Sequence, residues 1–200
     1  MKFYNSLTKQ VQEFKPRDEN QVSIYTCGPT VYHFAHIGNL RNYIMQDILV
    51  KALKFGGYNV KRVMNITDVG HLSDDGDYGE DKMIEGAKRE NKTVDEIAKF
   101  YTDVFLRDMG RLNIETPETI AKATEHISEM LEFVKEIIAN GYAYETSKGI
   151  YFDISKLDKY PVLSNRNIDE QIAGARVDVD QKKEIHMILH FGLKLQKIIL

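Results

Sequence analysis

Cysteine occurs once in the 200 residues, at position 27, so the chain has no internal disulfide and a reducing compartment is expected. Long apolar runs are also missing. Nothing approaches the roughly 20 residues that a bilayer-spanning helix needs, and the opening Met1-Lys2-Phe3-Tyr4-Asn5 lacks the apolar centre of a secretory leader. Together these absences predict a cytoplasmic protein with no membrane partner. A surplus of one charge is lacking too: 27 Lys and Arg stand against 30 Asp and Glu, for a net charge of -3. That balance excludes a general electrostatic grip on nucleic acid and leaves RNA contact to local patches or to chain beyond this sequence. What remains is an ordinary globular composition, 42% hydrophobic and 28% charged, long enough for one sizeable domain or a domain with an insertion.

The informative stretch is 22 to 42. Val22, Ile24 and Tyr25 have the side chains of a strand, and Gly28-Pro29 ends it. From about Arg41 apolar residues recur at helical spacing through Phe55, where Gly56-Gly57 stops the pattern, and residues 58 to 67 supply a second strand. Strand, helix and strand predict a right-handed βαβ unit and an α/β fold. Its loop would place backbone N–H groups and the positive end of a helix dipole at the C-terminal edge of a parallel sheet, where a phosphate binds. His33 and His36 share that loop, and their imidazole N–H groups would follow charge on a rearranging triphosphate. The competing reading is two loop histidines in ordinary hydrogen bonds.

Residues 27 to 39, Cys-Gly-Pro-Thr-Val-Tyr-His-Phe-Ala-His-Ile-Gly-Asn, resemble the signature of class I aminoacyl-tRNA synthetases, and the Cys-Gly-Pro-Thr-Val-Tyr lead-in resembles cysteinyl-tRNA synthetases in particular. The resemblance implies the first half of a Rossmann-like catalytic domain with an α+β connective insertion. It also implies roles. The His-Ile-Gly-His tetrapeptide of the family binds ATP phosphates, which assigns His33, His36, Gly38 and Asn39 to ATP and makes His36 and Asn39 the catalytic pair. Asn39 stands where the class pattern has its final His, a variation the family also shows. Cys27, Gly28, Thr30 and Thr67 are assigned to the cysteine substrate, with Cys27 also a zinc ligand. Thr67 belongs to Asn65-Ile-Thr-Asp68, which in the family lines the amino-acid pocket. Zn²⁺, ATP, Mg²⁺, cysteine and tRNA-Cys are the implied cofactors and partners. A thiolate-bound Zn²⁺ with an open position would accept a substrate thiolate and reject serine, whose hydroxyl is a poor soft-metal ligand. Without the resemblance, Cys27 reads as a small buried residue at a strand end.

In the remaining chain, residues 1 to 21 read as a short edge strand and a loop. Residues 70 to 83 are acidic and glycine-rich but lack the order of a calcium loop, and read as a mobile surface loop entering a helix. Thr93-Val-Asp-Glu96 is a capping box opening a helix that runs to Gly110. A second helix is expected from Pro117 to Asn140-Gly141, carrying Ile120, Ala123, His126, Ile127 and Val134, with no catalytic role for His126. Residues 142 to 152 read as a hairpin, and Ile168 to Asp178 complete the insertion. The expected division is 1–110 for the catalytic half-domain, 111–183 for the insertion and 184–200 for a tail.

In that tail the resemblance stops. The family's Pro, Asp-Phe and Trp are absent after Lys183, and the chain has no Trp at all. One codon assignment for residues 182 to 197, read with a single inserted adenine, encodes Lys-Lys-Arg-Asn-Pro-His-Asp-Phe-Ala-Leu-Trp-Ile-Lys-Ala-Pro-Lys, which restores the family pattern. The expectation is therefore an out-of-frame tail on a truncated synthetase, inactive by itself because the further zinc ligands and the second lysine loop are not in the chain. A related ligase joining cysteine to an amino sugar and a non-catalytic nucleotide-binding fragment are the alternatives.

Overall fold

The structure, a computed structural model, describes residues 1–19, 21–69, 82–146, 149–157 and 188–190. Strands β1 (Lys2–Asn5) and β2 (Gln10–Glu13) pair antiparallel, with Lys2 opposite Glu13. Lys9 takes a left-handed φ of 56° just before β2. The expected edge strand is thus one arm of a hairpin with β2, and the expected loop follows β2.

Strand β3 (Val22–Thr26) leads through residues 27–36 into helix α1 (Ile37–Phe55), and β4 (Val60–Ile66) returns parallel to β3 in the register Val22 to Val60. Helix α1 starts four residues before the apolar periodicity does, because His36 caps it. Helices α2 (Lys82–Glu90) and α3 (Val94–Arg111) follow. At the start of α3, Thr93 Oγ1 accepts from Glu96 N at 3.2 Å and Glu96 Oε2 accepts from Thr93 N at 2.8 Å, the predicted capping box.

Residues Thr119–Lys122 are a strand, β5, parallel to β4 with Val63 opposite Thr119, and not the start of a helix. His126 ends the 3₁₀ turn Ala123–His126, and helix α4 begins at Ile127 and runs to Ala139. The turn is held by Asp68, whose Oδ1 accepts from Thr124 N at 3.0 Å and whose Oδ2 accepts from Thr124 Oγ1 at 2.6 Å. The apolar positions at 120, 123 and 127 fit a helical face as well as they fit a strand and a turn, and pairing to β4 decides between them. Strands β6 (Ala143–Thr146) and β7 (Gly149–Asp153) form the expected hairpin, Thr146 opposite Gly149, and β8 (Ile188–His190) pairs antiparallel with β7. Residues 70–81 and 168–178 lie outside the described residues.

The described elements fall into two compact units, one built on β3, α1, β4, α2, α3 and β5, the other on β1, β2, α4, β6, β7 and β8. The first unit carries the core that positions the loop after β3. Its parallel sheet has the order β3-β4-β5. Along β4 the buried positions are Val60, Arg62, Met64 and Ile66. Met64 packs with Tyr43 of α1 and with Phe105 and Met109 of α3, while Ile66 packs with Val31, Met83 of α2, and Ile97 and Tyr101 of α3. Burying each such side chain stabilises the unit by about 1.5–3 kcal/mol.

Candidate functional site

The loop between β3 and α1 extends the sheet before it turns away. Thr30 bridges Thr67 in parallel fashion, with Val31 N donating to Thr67 O at 3.1 Å and Thr67 N donating to Pro29 O at 2.9 Å. Residues 29 to 31 are thereby fixed beyond the C-terminal ends of β3 and β4, the edge at which such sheets bind ligands. Gly28 is equally constrained. Its N–H donates to Asn65 Oδ1 at 2.9 Å, and a Cβ there would lie 1.8 Å from Asn65 O. Asn65 in turn donates Nδ2 to Thr67 Oγ1 at 3.2 Å.

His36 is the N-cap of α1. Its Nδ1 accepts from Gly38 N at 3.0 Å, and its own N–H donates to Asn39 Oδ1 at 3.2 Å. Because Nδ1 accepts, the ring proton sits on Nε2, which becomes a donor facing away from the cap. Asn39 uses its oxygen in the cap and keeps its amide N–H₂ as donors. Gly38 permits the arrangement, since a Cβ would stand 2.9 Å from His36 Cε1. The helix dipole adds partial positive charge at the same point, and α1 has no acidic residue in its first turn to offset it.

An open cleft of about 310 Å³ lies over this cap. Of the residues singled out in the sequence, Gly28, Thr30, His33, His36 and Asn39 line it. Gly38 lies behind the cap, Thr67 is tied to Thr30 at the rim, and Cys27 is exposed beside Gly28, its Sγ 3.6 Å from Gly28 O. Cys27 is therefore not the buried strand-end residue that composition suggests. His33 is exposed and stacks on Tyr101, with ring centroids 6.1 Å apart and planes 10° apart, while its Nδ1 lies 3.4 Å from Phe34 O.

Sequence reasoning overlooked Tyr43, Tyr101 and Phe105, which form the apolar wall of the cleft. Tyr43 lies one turn beyond Asn39 on the same helix face, so the i, i+4 spacing was the available signal. Its ring meets Phe105 edge to face at 4.9 Å, and burial, helped by nearby Cys27, raises its hydroxyl to about 12. It stays a neutral donor. Gln46 and Arg62 were also overlooked, and Gln46 donates Nε2 to Cys27 O at 3.1 Å. A charged residue at an inward position of β4 was the signal for Arg62.

Among the described residues, no three His, Cys, Asp or Glu side chains come together as a metal site. Cys27 offers one soft donor, and one does not hold Zn²⁺, which takes four ligands or three plus a water. The described residues alone do not fit a resident zinc ion.

The family model described as tRNA synthetases class I (C) catalytic domain matches residues 13–194. Similar proteins include a cysteine–tRNA ligase of Treponema denticola, 54% identical over 183 residues that make up 92% of this chain and 37% of the relative. A cysteine–tRNA ligase of Borrelia hermsii is 40% identical over 195 residues, 96% of this chain and 40% of the relative. The chain thus spans well under half the length of these relatives. Among solved structures, LeuRS of Agrobacterium radiobacter K84, in a ternary LeuRS-tRNA-LeuAMS complex, superposes with a TM-score of 0.52 at 18% identity, covering 70% of this chain and 17% of that one. Methionyl-tRNA synthetase of Mycobacterium tuberculosis, bound by methionyl-adenylate, gives 0.51 at 21% identity, covering 65% and 23%. These likenesses establish a Rossmann-like class I synthetase fold. No described helix is long and apolar enough to cross a membrane.

Proposed function

Since the chain belongs to the class I (C) tRNA synthetase catalytic-domain family, we propose that it supplies the ATP and amino-acid edge of a cysteine–tRNA ligase. The observation that carries this reading is the cap of α1, which turns His36 Nε2–H and the Asn39 amide toward an open cleft over a helix N-terminus. In the proposed reaction a carboxylate oxygen of cysteine attacks the α-phosphorus of ATP, the bond to the β-phosphate oxygen breaks, and pyrophosphate leaves. The adenylate then passes its cysteinyl group to the 3′ end of tRNA-Cys, releasing AMP.

Adenylation needs little covalent help from protein, so the work is positioning and neutralising charge on phosphate oxygens. His36 and Asn39 are suited to both tasks as fixed donors, and the α1 dipole adds to them. His33, stacked on Tyr101, is placed in this reading at the triphosphate side of the cleft, and Mg²⁺ would arrive with the nucleotide. Gly28, Thr30 and Thr67 form the rim next to which the cysteine substrate is proposed to sit. Cys27 is the one residue here able to offer a thiolate to Zn²⁺, and no step is assigned to that metal. A cytoplasmic setting suits an exposed free thiol, which stays reduced there.

The test is cysteine-dependent exchange of pyrophosphate into ATP by the protein that carries these residues. Exchange that falls about 10²–10³-fold in His36→Ala, with Asn39→Ala also impaired, supports the reading, because losing one charge-stabilising donor has that effect. Exchange that is independent of cysteine, or untouched by both substitutions, contradicts it.

A further inference from the structure

The Cys27–Gly28 peptide is gripped from both sides by side-chain amides. Gly28 N–H donates to Asn65 Oδ1 at 2.9 Å, and Cys27 C=O accepts from Gln46 Nε2 at 3.1 Å. One amide comes from β4 and the other from α1. Gln46 is itself held, because Arg62 donates Nη2 to Gln46 Oε1 at 3.1 Å. A guanidinium has donors only, so it selects the oxygen of the amide and leaves the N–H₂ end for the peptide carbonyl.

Arg62 is well placed to do this. It is 1% exposed, and a charge so deep persists only with its donors met. Nε donates to Thr26 Oγ1 at 3.2 Å and Nη1 approaches Glu115 O at 3.5 Å. Burial lowers the guanidinium below its ordinary range while Asp47, Glu118 and Glu115 act against that, so it remains a cation.

We propose that Gln46 and Arg62 are positioning residues for Cys27. Arg62 sets the orientation of the Gln46 amide, and that amide sets the rotation of the Cys27–Gly28 peptide, and with it the direction in which the thiol leaves the backbone. The functional consequence rests on Cys27 facing the cysteine substrate, as in the ligase reading, whereas the positioning itself does not.

Gln46→Glu separates this role from simple support. The new carboxylate keeps an acceptor for Arg62 but turns an oxygen, in place of N–H, toward Cys27 O. Amide hydrogen exchange of the 200-residue chain, followed by NMR, reads Gly28 against Met64 and Ile66 of β4. The expected result is exchange about tenfold or more faster at Gly28, with Met64 and Ile66 unchanged, as for a local opening. Should Gln46→Glu fail to fold, Gln46→Met, which removes the amide at similar volume, is read in the same way. Unchanged protection at Gly28 overturns the proposal. So does equal acceleration at Gly28 and along β4, which would make the pair a support of the sheet only. No substrate enters the measurement, so a Gly28 response in a protein lacking pyrophosphate exchange sustains the positioning while the ligase reading falls.

Discussion

Gly28 and Gly38 flank the same loop and are required for different reasons. At Gly28 the obstacle is backbone: a Cβ would lie 1.8 Å from Asn65 O and 3.0 Å from Asn65 C, atoms that cannot yield without moving β4. Gly28→Ala is expected to lower stability by about 1–3 kcal/mol, the usual cost of overpacking, read as a fall in the urea midpoint at constant slope. At Gly38 the obstacle is the rim of a rotatable ring, His36 Cε1 at 2.9 Å. Alanine gains about 1 kcal/mol of helix propensity over glycine, which offsets the displacement of the ring. Gly38→Ala is therefore expected to leave the urea midpoint nearly unchanged while weakening ATP binding by calorimetry. Equal loss of stability at both glycines would contradict the distinction.

At the scale of elements, the join between α2 and α3 is polar. The Tyr101 hydroxyl of α3 donates to Glu90 at the end of α2, and Lys92 and Arg89 bond the same carboxylate at 3.1 Å and 3.3 Å. The Tyr101 bond first, and then the two cations, hold Glu90 down to about 2 from an ordinary 4.5. A carboxylate depressed in the folded state adds stability that is full above the unfolded pKa and fades as pH falls from about 4.5 to about 2. The urea midpoint should drop across that window in the parent, and Tyr101→Phe, which keeps the ring but removes the donor, should flatten the drop. An identical acid profile in the variant would sink this account. The capping box of α3 makes a simpler prediction: Thr93→Ala should cost about 1 kcal/mol in the same titration.

These elements differ in how visible they were in the sequence. The capping box, the βαβ unit and the Thr146 to Gly149 hairpin are local patterns with specific residue chemistry, and they stand as expected. The strand Thr119–Lys122 was hidden, because only pairing with β4 distinguishes it from the first turn of a helix. The cleft was half legible. Its loop residues carry a motif, whereas Tyr43, Tyr101 and Phe105 reach it from helices whose apolar positions look like any core face. The start of α1 was hidden for a similar reason: His36 is not a preferred cap, and its role depends on the ring folding back over Gly38.

For the molecule as a whole, the first compact unit is proposed to hold phosphate at the start of α1, with His36 and Asn39 as donors. The sheet order β3-β4-β5 puts Thr30, Thr67 and the turn held by Asp68 along one edge, and the cap of α1 opens at that edge. A second open surface of this unit, lined by Lys88, Asn91, Lys92 and Thr93, offers cations and a helix start already closed by Glu96. The two surfaces make opposite predictions for where ATP binds. The decisive measurement is an ATP and Mg²⁺ titration of the ¹⁵N-labelled chain, followed through its amide resonances. The account predicts the largest shifts at Gly38, Asn39 and Leu40 and in the 28–36 loop, with affinity reduced about tenfold or more in His36→Ala, as loss of a hydrogen bond to a charged group implies. Shifts concentrated at residues 88–93, or binding indifferent to His36, would contradict it.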